Sequence, residues 1–216
     1  AISAMDAGIG RIITHLKETG LAKDTLIFFT SDNGMNMGHH GIWGKGNGTF
    51  PQNMYDTSVK VPFLAVWPGN IPAGAVCTDL LSHYDVFPTL MDYLGFVPNT
   101  KQLLLGHSFA AVLRGESLEA EHPVMIFDEY GPVRMIRTHY WKYISRLPYG
   151  PDELYNLSED PDERNNRTND ATVADIKKQL RSRLIEWFTQ WADMWVDASH
   201  ECNTGYGQLC RPGIFS

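Results

Sequence analysis

The sequence predicts an α/β fold that hands over, near residue 120, to a small subdomain of one antiparallel sheet and one long helix. Three observations predict it. Apolar residues at helical spacing precede a short apolar run without alternation. That order suits a helix feeding a strand buried on both faces, as in a parallel sheet under helices. A second apolar run, VPFLAVWPG, closes on a turn-forming Pro68-Gly69 pair. Beyond residue 120 the pattern changes to short aromatic and β-branched segments separated by turn residues.

The elements follow in order. Residues 3–19 carry Ile9, Ile12, Ile13 and Leu16 on one helical face, with Gly20 as the stop. The run from Thr25 to Thr30 is the first strand. A polar, glycine-rich loop then reaches to about Lys60, and VPFLAVWPG is the second buried strand. SHYDVFPTLMDYLG reads as a helix with Pro88 in its first turn and Gly95 as its stop. LLLGHSFAAVLRGE reads as a turn and a short helix. PVMIFDEY, VRMIRTHY, WKYISRL and DELYNL read as four antiparallel strands. Residues 170–196 read as an amphipathic helix presenting Ile176, Leu180, Leu184, Trp187, Phe188 and Trp191 on one face. Two domains follow from this, residues 1–120 and 121–216.

Net charge is -7, and the acidic groups are dispersed, with no basic stripe or aromatic-basic motif. Nucleic acid is therefore not an expected partner. No apolar run approaches the length of a membrane span. Three cysteines are too few for a disulfide scaffold. Cys202 and Cys210 lie in a loop-rich tail and either pair or stay as thiols, and Cys77, beside an apolar stretch, reads as a buried thiol. The chain opens inside a helix without an initiator Met and reads as a piece of a longer protein.

The loop TSDNGMNMGHHGIWGKG, Thr30 to Gly46, holds the chemistry. Ligand sites in open α/β sheets gather beyond the carboxyl ends of strands. Asp32 and Asn33 offer two hard oxygen donors there, which suit Ca²⁺ or Mg²⁺ better than zinc, although Asp-Asn-Gly is also ordinary turn chemistry. Lys45 between glycines suits a phosphate or sulfate oxyanion, or is a solvated loop lysine. His39 and His40 suit a substrate anion or a general acid, or are exposed. His83, His107 and His139 read as structural when taken singly. Together the loop residues describe a cation site beside an oxyanion site, as transfer or hydrolysis of a phosphate or sulfate ester requires.

At these residues the chain resembles the type I sulfatases of the alkaline-phosphatase-like superfamily. TLIFFTSDNG, GHHGIWGKG, VKVPFLAVWPG, SHYDVFPTLMDYLG, and RTHYWKY followed by ELYNLSEDPDERNN occur in the family's order. The resemblance implies the C-terminal part of an alkaline-phosphatase-like sandwich plus the small subdomain. It implies Asp32 and Asn33 as calcium ligands (magnesium being the alternative). Lys45 would bind the sulfate group, and one of His39 and His40, with His40 preferred, would protonate the leaving group. The family's nucleophile is a formylglycine made from a Cys or Ser in a Cys/Ser-x-Pro/Ala-x-Arg motif. Cys77, Cys202 and Cys210 all lack that context. The formylglycine and the paired aspartates that complete the calcium site are expected upstream, in the remainder of a sulfatase chain. This chain as it stands is not expected to turn over substrate. A sulfate ester, small or on a glycan, is the expected substrate. His83, Arg137, His139, Trp141 and Tyr149 are candidates to face a carbohydrate, with packing as the competing account. The resemblance also implies a periplasmic, lysosomal or secreted enzyme. Two alternatives stand beside it: a phosphoesterase or phosphonate hydrolase of the same superfamily, and a non-catalytic binding relative.

Overall fold

The structure, a computed structural model, describes residues 2–96, 104–128, 132–147 and 150–192. Among them the elements in chain order are α1 (Ile2–Glu18), β1 (Ile27–Thr30), β2 (Asn36–Met37), β3 (Trp43–Gly44), α2 (Asp56–Val59), β4 (Phe63–Val66), α3 (Val86–Tyr93), α4 (Ala110–Leu113), β5 (Val124–Phe127), β6 (Val133–Arg137), β7 (Trp141–Arg146), β8 (Glu153–Asn156) and α5 (Ala174–Trp191). They form two compact units. The first comprises Ala1–Ser31, Pro62–Thr78 and His83–Glu119; the second comprises Asp32–Val61, Asp79–Ser82 and the chain from Ala120 onward.

In the first unit β1 pairs antiparallel with β4, Ile27 opposite Val66 and Thr30 opposite Phe63. This corrects the expectation of two strands buried on both faces in a parallel sheet. Among the described residues β1 has this one strand partner. Along β4 half-buried and exposed side chains alternate, and α1 has no buried residue. An apolar run is buried on both faces only where layers pack on both, and a two-stranded ribbon lacks them. The buried part of this unit lies around α3 and α4. The Thr89 hydroxyl donates to the Asp85 carbonyl at 2.6 Å and accepts from the Phe109 N–H at 2.9 Å. Phe63 meets Phe109 edge-on, with centroids 5.6 Å apart. Pro88 falls in the first turn of α3, where its missing N–H leaves no helical bond unmade. Cys77 is exposed, not buried, because it sits in an irregular stretch whose neighbours are also exposed.

In the second unit β5, β6, β7 and β8 form an antiparallel sheet in that order. Alternation sorts their side chains onto two faces. Met125, Ile136, Tyr143 and Leu154 pack against Leu180, Leu184 and Phe188 of α5. Val133, Met135, Ile144 and Tyr155 on the other face pack with Met54, Tyr55 and Val59, at the end of the glycine-rich loop. The loop is thereby seated on the sheet. α5 starts later than the periodicity predicts because Ala171–Val173 form a 3-10 turn, capped by the Asp170 carboxylate accepting from the Thr172 N–H at 2.8 Å. Cys202, Cys210 and Tyr149 lie outside the described residues. No helix among the described residues is long and apolar enough to cross a membrane.

Candidate active-site loop

The loop has two arms. On the first, the Asn33 N–H donates to Asp32 Oδ1 at 2.9 Å and Asn33 Nδ2 donates to the Gly34 carbonyl at 2.8 Å. These are local bonds of the kind that shape Asx turns. The Gly34 N–H donates to the Ser58 carbonyl at 2.9 Å. A Cβ at position 34 would stand 2.3 Å from the Thr57 carbonyl oxygen, so the turn closes on α2 only with glycine there. On the second arm, Lys45 Nζ stands 3.9 Å from Asp32 Oδ2, with both side chains more than half exposed. Such a pair adds little stability in water. Its interest is placement: a cation suited to an oxyanion lies beside a carboxylate suited to a metal. The Asp32 carboxylate and Asn33 carboxamide have the right chemistry for a hard cation, but they are two donors where such ions take about six or more. Among the described residues no group of three or more His, Cys, Asp and Glu is placed to share a metal ion.

The histidines lie elsewhere on the loop. His40 has a left-handed backbone, φ 54° and ψ 19°, between Gly38 at φ 95° and Gly41 at φ 73°. That conformation is uncommon for a residue with a Cβ and marks a constrained position. It lays the imidazole on the Tyr55 ring, centroids 3.8 Å apart and planes 7° from parallel. Partial burial lowers the His40 pKa below 6.5, and Arg164 and His39 push it the same way, against Asp162 and Glu153. His39 Nδ1 accepts from the Met37 N–H at 3.4 Å. Both histidines line a cleft of about 610 Å³ with Tyr55, Tyr155, Asp162 and Arg164. Lys45, Asp32 and Asn33 are not among its lining residues. The structure thus brings Lys45 to Asp32, and His39 and His40 to a separate cleft wall. His83 is exposed and opens a single-turn helix in the first unit. Lys60, Arg137 and His139 line a second cleft of about 400 Å³. Trp141 packs partly buried against the α5 side of the sheet.

Two buried polar clusters beneath the loop were not read from the sequence. In one, Lys142 is fully buried on β7 and donates to the Met54 carbonyl at 3.0 Å. It pairs with Asp56 and, at 2.5 Å, with Glu163. Arg137 pairs with Asp56 at 3.1 Å, and Glu163 accepts from the Asp56 N–H at 2.6 Å. Burial pushes the Asp56 carboxyl up, but Lys142 and Arg137 outweigh it and hold the group below its ordinary 3.8. Burial holds Glu163 above its ordinary 4.5 despite Lys142. In the other cluster, Asn36, Asn53 and Ser58 are buried; Asn36 and Asn53 each hydrogen-bond to Ser58 Oγ, Asn53 also bonds the Gly46 carbonyl, and the Ser58 carbonyl accepts from the Gly34 N–H. The sequence held a signal for the first: Lys142, Ile144 and Arg146 alternate onto one face of β7, a face shown apolar by Ile144.

The fold and loop have close counterparts among known proteins. The sulfatase family's sequence profile matches residues 1–96. The chain is 30% identical to a Δ4,5-hexuronate-2-O-sulfatase of Bacteroides thetaiotaomicron, over 95% of this chain and 44% of that protein. It superimposes on a phosphonate monoester hydrolase of Agrobacterium radiobacter with a TM-score of 0.73 at 31% identity, covering 88% of this chain and 40% of that one. A protein solved in complex with its substrate, D-glucosamine-2-N,6-O-disulfate, superimposes with a TM-score of 0.75 at 26% identity, covering 88% of this chain and 39% of that one. The chain therefore spans less than half the length of these relatives. Its mixed helix-and-sheet architecture is that of the alkaline-phosphatase-like fold. A profile match across the glycine-rich loop, together with identity to a sulfatase along almost the whole chain, makes this chain a member of the sulfatase family.

Proposed function

We propose that this chain supplies one wall of the active site of an enzyme that hydrolyses a sulfate ester. The observation that carries the reading is the approach of Lys45 Nζ to Asp32 Oδ2, 3.9 Å, on a loop seated on a packed sheet. In this reading Lys45 binds the sulfate oxygens, where its charge offsets the negative charge that develops during cleavage. Asp32 and Asn33 contribute to a calcium or magnesium site, and a bound cation would neutralise the same oxygens. His40 holds a proton for the departing alcohol oxygen. The nucleophile, a formylglycine in the family the sequence resembles, comes from residues outside this chain, since none of the cysteines here has the required context. A sulfated glycan is the proposed substrate class. The hexuronate sulfatase and the disulfated-glucosamine complex among its relatives support it. An extracytoplasmic compartment is the matching location.

A second reading, hydrolysis of a phosphonate or phosphate ester, is favoured by the likeness to the phosphonate monoester hydrolase. Asn33 weighs against it, because a carboxamide suits one hard cation better than transition metals. Assay of the full-length protein on paired sulfate and phosphonate esters separates the two. Lys45→Ala should lower kcat/KM for the preferred sulfate ester by about 100- to 1000-fold, and Asp32→Ala should remove any dependence on calcium. Undiminished turnover by Lys45→Ala would refute the role given to that lysine.

A further inference from the structure

We infer that Asn53 is a positioning residue that sets Lys45 against Asp32 and Asn33, acting with Ser58 and Asn36; the inference rests on the oxyanion-binding role proposed for Lys45. The two arms of the loop meet through Asn36, Asn53 and Ser58, three buried residues none more than 3% exposed. Asn53 grips the Lys45 arm. Its backbone N–H donates to the Gly46 carbonyl at 2.9 Å. Its side-chain Nδ2 donates to Gly46 O at 3.1 Å, Thr49 Oγ1 at 3.2 Å and Lys45 O at 3.4 Å. The other end of the same amide, Oδ1, accepts from Ser58 Oγ at 2.5 Å. Ser58 in turn accepts from Gly34 N–H on its backbone carbonyl, which fixes the turn that carries Asp32 and Asn33. Asn36 closes the set. Its Nδ2 donates to Ser58 Oγ at 2.5 Å and to the Gly44 carbonyl at 3.3 Å, and its Oδ1 accepts from Thr57 Oγ1.

This path of bonds runs from Gly34 through Ser58 and Asn53 to the Lys45 and Gly46 carbonyls. The Lys45 side chain itself is largely exposed, and its contact with Asp32 is long, at 3.9 Å. Its position is therefore fixed from the backbone, and the backbone is fixed by Asn53. Glycines flank Lys45 on both sides and give the segment no side-chain packing of its own. A buried amide with both ends engaged is costly to leave half-satisfied, so the clasp has one well-defined arrangement. Displacement of a binding group by about 1 Å costs on the order of 100-fold in rate.

The test is a double-mutant cycle in the full-length protein, reading kcat and KM on 4-nitrophenyl sulfate with thermal midpoints as a folding control. Asn53→Ala should lower kcat/KM by about 10- to 100-fold. Asn53→Asp, which keeps the acceptor for Ser58 but loses both amide N–H groups, should do the same. In the Lys45→Ala background Asn53→Ala should add no more than about a twofold loss, because a residue acting through Lys45 has nothing left to position. Should Asn53→Ala not fold, Ser58→Ala cuts the same path with little change of volume and is read by the same cycle. Losses that multiply in the double variant overturn the inference. So does a folded Asn53→Ala or Ser58→Ala enzyme as fast as the parent when Lys45→Ala is slow. A Lys45→Ala enzyme as fast as the parent is the distinct result that overturns the functional reading and removes the basis of this one.

Discussion

His40 has a conformation chosen by its neighbours and not by its own preference. Two glycines at positive φ bracket it, and the left-handed turn presses its ring onto Tyr55. Burial, Arg164 and His39 all disfavour the imidazolium. A proton donor to the leaving oxygen must be protonated, and the pKa of this group lies below 6.5. If His40 is the donor, kcat/KM should fall as pH rises through that lowered value, so the limb lies on the acid side of neutrality. His40→Gln should remove the limb and cost about 100- to 10,000-fold in rate. Arg164→Gln should move the limb to higher pH, since it removes one of the charges that lower the pKa. A pH–rate profile unchanged in His40→Gln would sink the assignment and leave His40 as a packing group for Tyr55.

Strand β7 shows how an element can be read correctly and its role missed. WKYISRL has strand character, and β7 forms between β6 and β8. A Lys and an Arg in such a strand ordinarily point to solvent. Here Lys142 and Arg146 flank Ile144 on the face that receives the loop, and they donate to the Met54 and Gln52 carbonyls. The strand therefore holds the chain that follows the loop by its backbone. What pays for burying Lys142 is a pair of carboxylates, Asp56 and Glu163, which lie far apart in sequence. Periodicity reveals faces, but it cannot reveal which distant charges a face will meet. The same limit hid Asn36, Asn53 and Ser58, whereas Asp32, Asn33 and Lys45 stood out because they cluster within one short loop. Lys142→Met should destabilise the protein by about 3–5 kcal/mol, because it leaves buried carboxylates short of a cation. Lys142→Met with Glu163→Gln should recover part of that loss in chemical denaturation. No recovery would mean that the cost was lost packing, not uncompensated charge.

Across the whole chain, the order of elements was legible and the environment of the first unit was not. The helix at Val86–Tyr93, the four-stranded sheet and the long α5 follow from local spacing, which the fold keeps. The burial of β1 and β4 does not follow, because an apolar run records a need for cover without naming what provides it. Leu64 and Val66 are 59% and 51% exposed, and Ile2 and Ile12 on α1 are 75% and 64% exposed. Among the described residues β1 and β4 also pair only with each other, and the open edges of such a ribbon can template pairing with another strand. Apolar faces of this kind next to open strand edges promote association. The 216-residue chain expressed by itself should therefore associate in a concentration-dependent way in sedimentation velocity and bind a hydrophobic dye. Leu64→Lys combined with Val66→Lys should shift it toward monomer and reduce dye binding, because both side chains lie on the exposed face of β4. The same pair of changes should leave the α5-covered sheet intact, since its core residues belong to a different cluster. A chain that stays monomeric at high concentration, or a double variant that associates as strongly as the parent, would show that these faces do not govern its association.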